Sequence, residues 1–121
     1  MALTISNRRS GGVEILDVAG RLTLGDGTGT LRDAARKAME RGADLLLNLS
    51  GVAYIDSAGL GELVGSYASA VSRGRRMKLL RPQKRVDSLL QMTKLYATFE
   101  IFEDEAAAVA SFGPPLPESA K

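Results

Sequence analysis

The sequence predicts one α/β domain built on a mixed β-sheet with about four α-helices, and three observations carry that prediction. The chain has 121 residues, the length of a single domain. Its apolar pattern switches repeatedly between the short runs of strands and the three-to-four spacing of helices. At its centre Leu45-Leu46-Leu47-Asn48-Leu49 is a nearly unbroken apolar run, as a strand buried on both faces of a sheet requires.

The elements follow in order. Apolar stretches at Leu3 to Ser6 and Val13 to Ala19, joined by the polar segment Asn7 to Gly12, read as a β-hairpin with a loose loop. Gly20 interrupts the second stretch before Arg21-Leu22-Thr23-Leu24, which predicts a bulge or a short extra strand. From Thr28 the period is helical, with Leu31, Ala34, Ala35, Ala38 and Met39 on one face. Thr30 with Asp33 resembles a capping pair, and Arg41-Gly42 supplies a cationic last turn and a glycine stop. The central Leu run then gives strand, helix, strand and a right-handed crossover. Ser50 to Ile55 reads as a loop, followed by a helix over Ser57 to Ser72 and a strand over Met77 to Leu80. A third helix spans Gln83 to Thr93, with Val86, Leu89 and Leu90 inward. A last strand, Phe99 to Phe102, precedes a helix whose acidic start, Glu103-Asp104-Glu105, complements the helix dipole. That helix ends at Gly113-Pro114-Pro115, so residues 1–112 form the domain and 113–121 a flexible tail.

The composition narrows function. The chain has no His and no Cys, which removes the usual general base of a nucleophilic triad, the commonest metal ligand and all thiolate chemistry. Catalysis, a metal and a cofactor are therefore not expected. No apolar run approaches the roughly 20 residues of a membrane span, and the start of the chain has the reverse order of a signal peptide. A cytoplasmic location without membrane contact is the expectation. A net charge of +2 does not by itself call for a polyanionic partner.

The most informative segment is LNLSGVAYIDSAGLGELVG. Asp56 and Ser57 lie where the strand and its loop hand over to a helix, and both are good N-cap residues. A cap is all that these two need be. Yet Gly59 and Gly61 in the first turn each cost roughly 1 kcal/mol relative to Ala, which suggests close approach of another group within the fold or on a partner. Steps of 100° place Leu60, Leu63, Val64, Tyr67, Ala68 and Val71 inward, and Ala58, Gly61, Gly65, Ser69 and Ser72 outward, with Glu62 at the margin. So small and uncharged a face, with Ser57 at its upper end, reads as a docking surface or as a face covered by the same chain. A phosphate on Ser57 would be tolerated at a helix N-terminus yet would oppose a partner docked beside it.

The span GRLTLGDGTGTLRDAARKAMERGADLLLNLSGVAYIDSAGLGELVG, with its DSxGLG signature Asp56-Ser57-Ala58-Gly59-Leu60-Gly61, resembles the STAS domain of bacterial anti-sigma factor antagonists, and the element order fits that fold over nearly the whole chain. The resemblance implies that Ser57 is phosphorylated by a serine kinase that doubles as the anti-sigma factor, with Asp56 as its neighbouring cap. It implies that a PP2C-type phosphatase reverses the modification, and that the unphosphorylated form captures the kinase and frees the sigma factor. The partner surface would comprise Ala58, Gly59, Leu60, Gly61, Glu62, Gly65 and Ser69. A constitutive scaffold or transporter-associated STAS module is the alternative, and the flat face could also serve a homodimer. Asn48 and Thr23 stand where members often have Asp, and Asp26 is close enough to serve for the latter.

Other signals are weaker. Arg73 to Arg85 holds seven basic residues and no acidic one, while the remainder carries nine basic against fourteen acidic residues. Helix-end placement and strand flanks account for most of these charges, no aromatic residue is interleaved to stack bases, and the stretch could equally steer an acidic partner. Direct nucleic-acid binding is not expected. Gly25-Asp26-Gly27-Thr28-Gly29 lacks the GK[ST] ending of a phosphate loop and reads as a loop rim. Tyr54 and Tyr67 read as core or near-core.

Overall fold

The computed structural model describes residues 3–25 and 28–113. Five strands form one sheet in the order β1 (Thr4–Ser10), β2 (Val13–Leu22), β3 (Asp44–Ile55), β4 (Met77–Leu80) and β5 (Ile101–Phe102). β1 runs antiparallel to β2, and every other neighbouring pair is parallel. The helices are α1 (Thr28–Glu40), α2 (Ser57–Ser72), α3 (Lys84–Met92) and α4 (Glu105–Ser111), with a single 3₁₀ turn at Leu95–Ala97. The α/β class, the mixed sheet and the four helices are as expected.

The Leu run explains the layering. Side chains alternate along a strand, so Leu45, Leu47 and Leu49 enter the large core with Leu31 of α1, Leu63 of α2 and Leu90 of α3. Leu46 points the other way, into a small core with Ile15, Leu80, Ala108 of α4 and Phe112 just after it. α4 has only seven residues and cannot cover that whole face. The uncovered part is polar instead: Arg8 forms ion pairs with Asp17 and Glu105, both at 2.6 Å, and Asn48 donates to Asp17 at 2.8 Å. A neutral amide at Asn48 suits this place, because Asp17 already supplies the carboxylate. The Arg8 guanidinium holds the Asp17 carboxyl below its ordinary range.

Several boundaries differ from the sequence expectation. The opening hairpin is tight, not loose: β1 runs on to Ser10, pairs with Val13, and Gly11-Gly12 alone make the turn, with Gly11 at φ +62°. Polar Asn7 to Arg9 belong to the strand because β1 is an exposed edge whose side chains reach acids on β2. The predicted irregularity at Gly20 is present as register shifts between Asp17 and Ala19 and between Gly20 and Arg21. β2 continues past it to Leu22, so β3 continues too, and Ser50 to Ile55 is strand and not loop. Gly51 fits there because a Cβ would lie 2.9 Å from the Val18 carbonyl oxygen and the Ala19 Cβ. The Thr30 and Asp33 capping pair does not form: α1 already begins at Thr28, and Asp33 pairs with Arg36 and Lys37. At the other end Gly42 takes φ +80° and the Ala43 N–H closes onto the Ala38 carbonyl, as the glycine stop requires. The tail expectation falls, beyond Gly113, outside the described residues.

Candidate functional site

The handover from β3 to α2 is fixed by one carboxylate. Asp56 is the N-cap of α2, and its Oδ1 accepts from the Gly59 N–H at 2.9 Å. Its Oδ2 accepts from the Leu24 N–H at 3.0 Å, which ties the loop after β2 to the start of the helix. The Asp56 N–H in turn donates to the Leu22 carbonyl at 3.3 Å. Donation from Gly59, and then from Leu24, holds the Asp56 carboxyl below its ordinary value of 3.8. Ser57, the first residue of α2, is exposed.

The glycines of this turn separate into two kinds. A Cβ on Gly59 would lie 2.1 Å from the Leu22 carbonyl oxygen and 2.8 Å from Ile55 Cγ1, so Gly59 is required by the approach of α2 to β2. A Cβ on Gly61 or Gly65 would meet nothing within 4 Å. Nothing inside the fold requires a bare backbone at these two positions.

The same contacts set the rotation of α2, which departs from the expected one. Gly59, Glu62, Leu63, Ser66 and Ala70 are the buried column, while Val64 and Val71 are 36% and 56% exposed and Ala68 is exposed as well. Expectation centred the inward stripe on the large apolar side chains. Gly59 against Leu22 turns it toward the small ones, which let the helix sit close to the sheet. Of the partner-surface residues proposed from the sequence, Gly61 and Gly65 are exposed and Ala58, Leu60 and Ser69 half-buried. Gly59 and Glu62 are buried, a correction in both cases. Glu62 turns inward to receive Arg32 of α1 through two hydrogen bonds of 2.8 and 3.1 Å. The resulting outer face carries Ser57, Gly61, Val64, Gly65, Ala68 and Val71 and no charge. Its apolar members Val64, Ala68 and Val71, which repeat at four and three residues, are the ones the sequence places inward.

The remaining candidates are dispersed. Thr23 is buried, and Asp26, offered above in its place, lies outside the described residues, as does Gly27 of the loop rim. Tyr67 packs edge-on against Phe99 with ring centroids 5.3 Å apart. Tyr54, expected in or near the core, is 37% exposed, with the guanidiniums of Arg21 and Arg85 at 5.3 and 6.0 Å from its ring centroid. Within the basic stretch, Arg76 pairs with Asp44 at 2.6 Å and Lys78 with Glu100 at 2.9 Å, so these two are structural. Among the described residues no cluster of three or more acidic, His or Cys side chains could hold a metal, and no helix is long and apolar enough to cross a membrane.

Comparison with known proteins agrees with this fold. Residues 4–108 match a family model described as the STAS domain. The anti-sigma-B factor antagonist of Bacillus subtilis (strain 168) is 35% identical over 71 residues, 59% of this chain and 65% of that protein, so the match spans less than two thirds of the relative. An anti-sigma factor antagonist from Mycobacterium paratuberculosis superposes with a TM-score of 0.81 at 19% identity, over 91% of this chain and 93% of the other. The Bacillus cell fate determinant SpoIIAA in its phosphorylated form gives 0.70 at 18% identity, over 90% and 99%. A murine anion transporter, Slc26a9, gives 0.73 at 18% identity, over 86% of this chain and 18% of the transporter. The structural likenesses establish the fold.

Two predictions follow from the local geometry. Gly59→Ala should destabilise the chain by about 1–3 kcal/mol through overpacking, whereas Gly61→Ala and Gly65→Ala should each stabilise it by about 0.5–1 kcal/mol, all measured by urea unfolding. Asp56 binds its proton more weakly folded than unfolded, so its contribution to stability is present above the ordinary carboxylate range and lost as pH falls below 3.8. The amide signals of Gly59 and Leu24 should therefore shift together in an acid titration by NMR, and should not do so in Asp56→Asn.

Proposed function

The chain belongs to the STAS domain family, and from that premise we propose that it is an anti-sigma factor antagonist that works as a phosphorylation switch. The unphosphorylated form docks a serine kinase anti-sigma factor through the outer face of α2 and so releases the sigma factor. Phosphate on Ser57 abolishes docking, a PP2C-type phosphatase restores it, and the cycle runs in the cytoplasm. The curated relative from Bacillus subtilis, an anti-sigma-B factor antagonist, supports the class of function. The solved phosphorylated form of SpoIIAA supports the modification.

One observation carries the reading. Gly61 and Gly65 open onto empty space beside exposed Val64, Ala68 and Val71, and an exposed hydroxyl stands at the head of that face. Two helix-weakening glycines without an internal neighbour are accounted for by a partner backbone that comes close there. The switch follows from electrostatics. A phosphate adds about −1.5 to −2 charge, which the first turn of α2 tolerates because its N–H groups and dipole favour an anion. Docking is less tolerant: the same charge, next to the ionised Asp56, must be desolvated against an apolar interface. The chain needs no base of its own, since the kinase activates the hydroxyl.

The test is incubation with ATP and an ATPase-type serine kinase, followed by intact-mass measurement. One phosphate should be gained and Ser57→Ala should gain none. Ser57→Ala should bind that kinase as the parent does, and Ser57→Asp should bind at least about tenfold more weakly, with both variants folded. Gly61→Ala and Gly65→Ala, though more stable, should bind less well. Equal binding by Ser57→Asp would contradict the switch and would favour the alternative of a constitutive STAS module, the form in which the fold occurs within a transporter.

A further inference from the structure

We propose that the groove between the end of β3 and α3 is a second docking element, one that takes an acidic segment of a protein partner with an apolar side chain at its centre. The inference rests on the reading above, since the partner concerned is the one that docks on α2. The groove has a volume of about 660 Å³; Tyr54, Ile55, Leu89 and Met92 line it, with Lys84 and Arg85 at its rim. Met92 is 79% exposed, an unusual place for a large apolar side chain. Ile55 connects this groove to the phosphorylation site, because Asp56 and Ser57 follow it directly.

Charge identifies the occupant. Arg8, Arg32, Arg36, Lys37, Arg41, Arg76 and Lys78 all form ion pairs with carboxylates of the chain. Among the described residues Arg9, Arg21, Arg73, Arg75, Arg81, Lys84, Arg85 and Lys94 form none, and of these Lys84 and Arg85 line the groove and Arg21 stands at its Tyr54. The two arginines instead lie over the Tyr54 ring, at 5.3 Å for Arg21 and 6.0 Å for Arg85. These cations keep their charge for an outside partner and stand around an apolar floor. Acidic residues that flank an apolar anchor complement both features. A nucleic acid fits less well, because the groove offers a single aromatic ring, already in contact with guanidiniums, and no run of rings on which successive bases could stack. This accounts for Lys84 and Arg85 of the basic stretch.

The full chain, labelled with ¹⁵N, is titrated with the capped peptide EEDLFDEE, and separately with KKRLFRKK, EEDGSDEE, a single-stranded DNA 12-mer and phosphatidylserine-containing vesicles. EEDLFDEE should shift the amides of Tyr54, Arg85 and Met92, and the other probes should do so weakly or not at all. The double variant Lys84→Glu with Arg85→Glu should weaken peptide binding about tenfold and remove its salt dependence. Met92→Ala should weaken binding with the salt dependence kept. Equal response to KKRLFRKK, or no response at these amides, overturns the proposal, and stronger binding of DNA or vesicles replaces the protein partner with that polyanion. The kinase separates this inference from the switch. If the double variant associates with the kinase as fast as the parent while Ser57→Asp still binds weakly, the groove proposal fails alone. If Ser57→Asp binds as the parent does, the switch fails whatever the groove does.

Discussion

The Asp56 carboxylate is the point on which the rest of the site depends. By accepting from Gly59 in α2 and Leu24 after β2, it joins two segments far apart in sequence at the C-terminal ends of β2 and β3. Gly59 makes the junction close, since only a residue without a Cβ can rest on the Leu22 carbonyl. Together they fix both the start of α2 and its rotation. The rotation then decides the rest: Leu63 and Ala70 go to the core, Glu62 to Arg32, and Ser57, Gly61, Gly65 and Val64 to the outside. A cap residue that looks like a local device thus determines which surface the protein shows.

Charge is distributed with the same economy. Buried or half-buried acids such as Glu62 and Asp44 each meet an arginine, and the face of the sheet that α4 leaves open is closed by Arg8, Asp17, Asn48 and Glu105. The outer face of α2 has no charge at all, and Arg21, Lys84 and Arg85, which form no ion pair among the described residues, lie around Tyr54 at the end of the strand that leads into α2. A neutral surface next to a basic one suits an interface with an apolar centre and an electrostatic flank, where charge speeds encounter and shape holds the complex. Added phosphate changes the neutral part most, because that part has the least means of compensating a new anion.

Much of this was legible in the sequence. The bounds of α2 and β4 could be read directly, because Asp56 and Ser57 mark a helix start and the Leu and Ala spacing marks its course. The DSxGLG signature located Ser57 and Asp56 without any coordinates. The losses have specific causes. Ser50-Gly51 reads as a loop, yet Gly51 is demanded by the irregular pairing of β3 with Ala19, a contact 32 residues distant. The two glycines after Ser10 make a tight turn whose first strand is polar from Ser6 to Ser10, so no apolar alternation marks it. The rotation of α2 differs from the sequence expectation because side-chain size suggests one inward face and the approach of Gly59 to Leu22 imposes another. Tyr54 reads as core or near-core because it is aromatic, whereas in the fold it is 37% exposed beside the guanidiniums of Arg21 and Arg85.

The central claim is that phosphate on Ser57 changes an interface and leaves the fold as it is. Isothermal titration of the serine kinase with the enzymatically phosphorylated and the unphosphorylated chain, each also recorded as an amide NMR spectrum, tests it most directly. The account predicts that affinity is lost on phosphorylation while amide shifts stay within the first turns of α2 and the segment around Leu24. Unchanged affinity, or shifts that spread through β3 and α1, would contradict it.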